Sequence, residues 1–475
     1  MSIVPLLVTS SAALIIGSLA RGKWRCWSLL VASILAIYWL QPASPIRHLD
    51  FWLPTACIIL AVLTWVFTRP AESQDNRPDV ITGAILIGLI LLVGITRYLG
   101  PACCLTSTRP PSIDQVVLVA SIIALLSFLF TRYLKGRKAW LYAGMAVIIG
   151  LFIILKSEFL ANFASQALRS LNSQPVELAS AFDLHWLGFS YVAFRLIHTL
   201  LDRLNGRLPG LGLQEFIIYV IFFPAFTAGP IDRVQRFTQD LRQPFNLSLE
   251  AALGGGKRIL IGIFSKFVLA DGLALFALST SNAGQVISTG WLWVLLYAFA
   301  LRIYFDFSGY TDIAIGMGQL LGIRLPENFE KPYLKPNLTQ FWNSWHMTLA
   351  QWFRAYFFNP VTRTLRSDAR KVPIPLIILV GQLSTFMLIG LWLGISWNFA
   401  IWGAWHGLGL FIHNRWADWT RPKAGLFENR PGLLRLTSIG GTFLTFNFVS
   451  LGWVWFALAT PAQSLNTFLK LFGLR

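Results

Sequence analysis

Residues 302–363 read RIYFDFSGYTDIAIGMGQLLGIRLPENFEKPYLKPNLTQFWNSWHMTLAQWFRAYFFNPVTR. This tract sets Arg302, Asp306, Asp312, Asn343, His346 and Arg354 among long apolar runs. Charged groups and imidazoles at membrane depth are expensive, so they line a cavity or pathway rather than face lipid. An imidazole is also the side chain best matched to proton transfer near pH 7. A second such residue, His406, lies in WGAWHGLGLFIHN, where desolvation in mid-span has to be offset by a partner. His413, two turns further on, falls at the span end and reads as interfacial. His185, His198 and Arg195 read as satisfied polar groups of the bundle. His346 and His406 lie 60 residues apart with no further ligand in view, so the pattern announces no metal site. No HExxH, CxxC, Walker A, GxSxG or dinucleotide-loop motif is present.

The elements that must hold these groups are helical. At 100° per residue, a helix over 341–357 gathers Phe341, Trp345, Leu349, Trp352 and Tyr356 on one face. Asn343, His346, Ala350 and Arg354 fall on the other. That stripe suits a cavity, and it equally suits an interfacial helix with its aromatics in lipid. Around His406, Gly403 and Gly407 form a small-xxx-small pair that permits close helix approach.

The composition is that of a membrane protein. Of 475 residues 55% are hydrophobic and 13% charged, against roughly 25% charged in soluble domains. Twenty Trp and 37 Phe suit interfacial belts and apolar tunnel walls. The net charge of +18 comes from Lys and Arg in short loops, which cytoplasmic loop bias explains better than nucleic-acid binding does. Cys26, Cys57, Cys103 and Cys104 show no metal spacing and read as unpaired thiols.

Apolar runs long enough to cross a bilayer lie near 3–20, 27–41, 51–68, 80–98, 115–131, 139–156, 184–202, 258–278, 290–306, 374–393, 398–414 and 437–459. The expected fold is an all-α polytopic integral membrane protein of about 11–13 transmembrane helices, read from this hydropathy pattern. The run 3–20 has no basic residues before it and is followed by Arg21, Lys23 and Arg25. It reads as a first span with the N-terminus outside, not as a leader. The piece 213–231 contains Pro224, Gly229 and Pro230 and has basic clusters on both flanks. It is expected to dip into the membrane and return, so that 203–258 begins and ends in the cytoplasm. The basic tract 320–372 is expected on that same side.

Several segments together resemble the membrane-bound O-acyltransferase family, closest to its bacterial D-alanyl and alginate O-acetyl transfer branch. They are LGFSYVAFRLIHTLLDRLNG (187–206), FFPAFTAGPIDRVQRF (222–237), IFSKFVLAD (263–271), FDFSGYTDIAIG (305–316), NFEKPYLKPNLTQFWNSWHMTLAQWFR (328–354) and WGAWHG (402–407). The likeness covers 184–460, with 1–180 as generic N-terminal membrane helices in one integral domain. The resemblance implies an O-acyltransferase of the inner or plasma membrane. It would move an acyl group from a cytoplasmic thioester, on an acyl carrier protein or coenzyme A, with no bound cofactor or metal. The acceptor would be a hydroxyl of a surface polysaccharide or cell-wall polymer, or a relay protein, with an extracytoplasmic SGNH-type partner. His346 matches the family's Trp-His motif, and His346 and His406 are the candidate acid/base residues. Asn343, Arg354, Asp306 and Asp312 are the candidate substrate-binding groups.

Two positions depart from that pattern. Ala355 follows Arg354 where the family tract usually reads Arg-Asp. Leu393, in GLWLGISW, occupies the place of the family's catalytic histidine, and leucine neither accepts nor donates a proton. Either His406 serves as base, or the chain has lost the reaction and acts as a scaffold or conduit.

Overall fold

The computed structural model describes all residues except 1–2, 71–76, 101–104, 134–136, 368–371, 423–430 and 475. Cys103 and Cys104 lie outside the described residues. Helices dominate, and no strand occurs among the described residues. Six helices are long and apolar enough to cross a membrane: Leu49–Thr68, Arg77–Tyr98, Lys138–Lys156, Thr289–Leu320, Ile374–Leu393 and Pro431–Ala457. Ile3–Leu19 and Ile113–Leu129 are shorter apolar helices. The others expected near 27–41, 184–202, 258–278 and 398–414 are helical but fall below that measure of length and hydropathy. The helix expected to end at 306 instead runs to Leu320, 32 residues in all.

The chain forms two compact units, Met1–Ile261 with Thr311–Pro326, and Gly262–Tyr310 with Glu327–Arg475. The boundary between these units falls inside two helices.

In the first unit the segment expected to re-enter is a broken helix. Leu213–Ile221 has nine residues, about 14 Å of rise, too short for a hydrocarbon core of about 30 Å. The chain then turns through Phe223–Ala225 and resumes as Val234–Arg242. Such a break frees backbone carbonyls that buried surroundings must satisfy. Arg195 does this, donating from Nη1 to Val220 O at 2.8 Å and from Nη2 to Ala225 O at 2.7 Å. Tyr219 adds a hydroxyl bond to Asp232 O at 2.8 Å and meets His198 Nε2 at 3.0 Å. Arg195 and His198 are therefore structural, as their sequence setting implied.

Arg25 works in the same way, giving Nε to Leu321 O at 3.0 Å, Nη1 to Gln243 O at 3.0 Å and Nη2 to Gly322 O at 3.2 Å. Asp240 accepts from Arg324, whose guanidinium and backbone N–H hold its carboxyl below the ordinary carboxylate range against the opposing pull of burial.

The second unit holds a tight helical hairpin, Ile374–Leu393 against Trp397–Thr420. Ser396 caps the second helix by accepting from Phe399 N at 3.4 Å. The close approach depends on glycine. A Cβ at Gly403 would lie 2.5 Å from Phe386 O, and one at Gly407 would lie 3.0 Å from Leu383 Cα. The small-residue pair read from the sequence therefore marks a real helix contact. Beside it, Tyr333 donates to Ala300 O at 2.8 Å and receives the Trp453 indole N–H at 3.0 Å. Tyr304, Phe329, Phe341 and Trp345 pack around Tyr333 in stacked and edge-on pairs. The abundant aromatic residues thus build a rigid wall next to the candidate site.

Candidate functional site

The sequence predicts one continuous helix through 341–357, and the structure breaks it. Leu338–Trp342 is a short helix capped by Asn337, whose side chain accepts from Gln340 N at 2.9 Å. Helix resumes at Met347–Phe353 and widens to a π turn over Arg354–Phe358. The break is made by the preceding loop. Glu330 N donates to Ser344 O at 3.0 Å, and Met347 N donates to Asn328 O at 3.0 Å, so two backbone groups pair outside the helix.

His346 sits at the break with φ 40° and ψ 53°, in the left-handed region. A non-glycine residue there carries backbone strain, and such strain tends to persist where surrounding structure fixes a functional side chain. The result is an imidazole turned inward and buried at 6% exposure, not one on an open polar stripe.

Its ring is anchored on one side only. His346 Nδ1 lies 3.0 Å from Asn328 Oδ1. The same oxygen accepts from the Thr348 backbone N–H at 3.2 Å and lies 3.0 Å from Thr348 Oγ1. A backbone N–H can only donate, which fixes that Asn328 atom as the carbonyl oxygen. His346 Nδ1 must then carry the proton, leaving Nε2 with its lone pair. Asn328 is fully buried, and His346 Nε2 has no protein partner. Phe307 meets the ring edge-on at 4.7 Å between centroids, and Trp392 lies 6.3 Å away. Burial lowers the His346 pKa to about 3, so the ring is neutral at physiological pH.

His346 lines a cavity of about 240 Å³. Asn343, Arg354, Gln382, Thr385 and Asn414 contribute its polar lining, with Trp342, Leu349, Phe386 and Ile389 among its apolar walls. Arg354 Nη2 donates to Asn343 Oδ1 at 2.7 Å, and both side chains are exposed, so they form a polar rim. The structure therefore gathers three of the sequence candidates, His346, Asn343 and Arg354, around one space.

It does not gather the others there. Asp306 pairs with Lys266, and Asp312 accepts from Arg258 Nε at 2.9 Å in the first unit. Neither lines the cavity, because each already neutralises a cation on the neighbouring helix. His406 is fully buried behind two lining residues, with ring centroids 5.0 Å from Trp342 and 6.3 Å from Phe386. Trp402 packs on it at 4.9 Å and Phe448 at 5.8 Å, and neither of its nitrogens has a hydrogen-bond partner. The backbone of Gly452 closes on it so tightly that an added Cβ would lie 2.6 Å from Nε2.

A neutral, tautomer-fixed imidazole facing a largely apolar cavity can take a proton from a hydroxyl as that oxygen attacks a carbonyl. Comparisons with known proteins point to acyl transfer. The family model "MBOAT, membrane-bound O-acyltransferase family" matches residues 121–434. The chain belongs to the membrane-bound O-acyltransferase family. It is 34% identical to a teichoic acid D-alanyltransferase of Streptococcus thermophilus over 58% of this chain and 68% of the relative. It is 30% identical to a probable alginate O-acetylase of Pseudomonas putida, over 71% of this chain and 65% of that protein. A peptidoglycan O-acetyltransferase of Helicobacter pylori is 31% identical over 55% of this chain and 47% of its own length. The expected all-α, multi-pass acyltransferase is thereby established.

Two residues of this acyltransferase site escaped the sequence reading. Asn328 stands between Pro326 and Pro332, and its setting among turn residues was its only signal. Gln382 is the one carboxamide in the apolar run 374–393, and a lone amide at that depth was signal enough.

Proposed function

We propose that this acyltransferase moves an acyl group from a cytoplasmic thioester to a hydroxyl of an extracytoplasmic polysaccharide or cell-wall polymer, directly or through a relay protein. The observation that carries the reading is His346, which lines the cavity with Nδ1 bonded to Asn328 and Nε2 without a protein partner. The acceptor hydroxyl loses its proton to Nε2 as its oxygen bonds to the thioester carbonyl carbon. The tetrahedral intermediate then expels the sulfur, and the proton passes from Nε2 to the thiolate, giving ester and thiol. The apolar walls keep water from competing for the thioester.

The donor is an acyl carrier protein or coenzyme A thioester, reached from the cytoplasm past the Asn343–Arg354 rim. The named substrates of the relatives, teichoic acid, alginate and peptidoglycan, support a polymer acceptor. An SGNH-type partner on the outer side would complete delivery. The basic loops support an N-terminus outside, with the protein in the inner or plasma membrane. His406 is assigned here to packing.

A strain lacking the gene and complemented with His346→Ala tests the reading by mass spectrometry of surface glycans. O-acylation is expected to vanish while protein abundance stays unchanged. Wild-type acylation would remove His346 from the mechanism. Leu393 favours a second reading, a member that keeps the cavity as a scaffold or conduit but no longer transfers. Absence of any gene-dependent acyl group on surface glycans would favour it.

A further inference from the structure

In the first unit, three apolar helices leave a cleft that the protein does not fill. It runs between Leu49–Thr68, Arg77–Ile95 and Ile113–Tyr133 and encloses about 470 Å³. Val62, Leu86, Ile90 and Ile123 are typical of its walls. Gly83 lines it too, and a Cβ added there would meet no atom within 4 Å. The charged lining residues, Arg69 and Asp79, stand together at one end, where the first helix stops and the second begins. A second, more polar cavity of about 400 Å³ shares Trp65, Arg69 and Asp79 with the cleft. Its other walls include Arg203 and the loop 208–212. That loop is pinned in place. Trp65 Nε1 donates to Leu211 O at 2.9 Å and Arg242 Nη2 to Gly210 O at 2.9 Å. Asp79 Oδ1 accepts from Leu213 N at 2.8 Å just beyond it.

Length and charge select the occupant. Asp79 and Ile90 both line the cleft from one helix, eleven residues and about 16 Å of rise apart. That is half of a hydrocarbon core of about 30 Å, the depth of one lipid leaflet. Trp65 stands where the apolar cleft meets the polar cavity, the place of an interfacial tryptophan. The Arg69 guanidinium lies over its ring, 4.7 Å from the centroid. Among its described lining residues the polar cavity carries two guanidiniums, Arg69 and Arg203, against one carboxylate, Asp79. Arg203 is half-buried and forms no ion pair among the described residues. An apolar slot one leaflet deep, ending in a cationic chamber, suits a lipid with an anionic headgroup. A neutral hydrocarbon would leave the chamber unmatched, and a soluble anion would leave the slot empty. We infer that this cleft binds an anionic glycerophospholipid, with one acyl chain between the three helices and the phosphate at Arg203. The site is independent of the acyl-transfer chemistry at His346.

The test uses the full chain in lipid nanodiscs and two photoreactive probes, phosphatidylglycerol and phosphatidylcholine. Each carries a diazirine midway along one acyl chain, and cross-linked peptides are mapped by mass spectrometry. In wild type the glycerol probe should label the cleft residues of Arg77–Ile95 and Ile113–Tyr133 about ten-fold more than the choline probe. That is the scale of one charge-assisted hydrogen bond. Arg203→Gln should remove the preference, and Arg203→Lys, which keeps the charge, should retain part of it. Gly83→Leu puts a side chain into the open cleft and should lower cleft labelling by either probe about ten-fold. Leucine is also the better helix former there, so the variant is expected to fold. The Arg203 variants decide the matter if it does not. Labelling of Val147 and Ile149, exposed on Lys138–Lys156, should stay unchanged and measures ordinary boundary lipid. Equal cleft labelling by the two probes in wild type would mean boundary lipid only and overturn the anionic assignment. A preference that survives Arg203→Gln overturns Arg203 as the partner of the phosphate. Cleft labelling unaffected by Gly83→Leu puts the lipid elsewhere and overturns the site.

Discussion

Two histidines in the second unit are almost equally buried and differ in nearly everything that decides function. His346 has one nitrogen anchored on Asn328, the other without a protein partner, and the residue lines a cavity. His406 has neither nitrogen paired and is enclosed by Trp342, Trp402, Phe448 and Gly452. Burial alone therefore does not make a base. A base needs a defined tautomer, which the anchoring bond supplies, and a space in which a substrate proton can arrive. His346 has both, and His406 fills volume in an aromatic cluster.

The contrast can be sharpened by adding a third imidazole. Leu393 is next to Trp392, whose ring lies 6.3 Å from His346, and the side chain is half-buried at the end of its helix. Leu393→His places a second base close to the cavity, and acyl transfer is expected to rise by on the order of 10²-fold. An unchanged rate in a single-turnover assay would mean that position 393 has no access to the reacting groups.

A smaller effect should come from the anchor. Asn328→Leu removes the acceptor for Nδ1–H, frees the other tautomer and should slow transfer about ten-fold. Asn328→Asp keeps an acceptor and should retain more of the rate. The ¹⁵N shifts of His346 report the tautomer directly, and an Nδ1–H form that survives in Asn328→Leu would show that another group sets it.

The smallest effect is on stability. The folded His346 pKa of about 3 lies below the ordinary imidazole value of about 6.5. Between these limits the unfolded chain binds a proton that the folded chain does not, so acidification destabilises the fold through this residue. His346→Gln should therefore lose less of its thermal midpoint than wild type between about pH 6.5 and 4. Equal losses would place His346 in contact with water.

Much of this was legible in the sequence because it depends on composition and local pattern. The apolar runs gave most of the membrane helices, Gly403 and Gly407 marked the hairpin contact, and Pro224 with Gly229 and Pro230 marked the broken segment. The site was less legible because its making is non-local. A helical wheel puts His346 beside Asn343 on an open stripe. The actual geometry comes from a loop 18 residues earlier, whose Asn328 ends one helix and orients the ring of His346. Asp306 and Asp312 looked like site groups because the sequence does not show that Lys266 and Arg258 face them. Gln382 was passed over because a single amide barely changes the hydropathy of a run.

The claim at the centre is that His346, not His406, is the base. Purified protein in nanodiscs, with a thioester donor and a soluble fragment of its polymer acceptor, allows the two to be compared in single-turnover transfer per folded molecule. The account predicts that His346→Ala lowers the rate by about 10²–10⁴-fold, while His406→Leu retains most of it at a lower thermal midpoint. Full activity in His346→Ala together with loss in His406→Leu would contradict it.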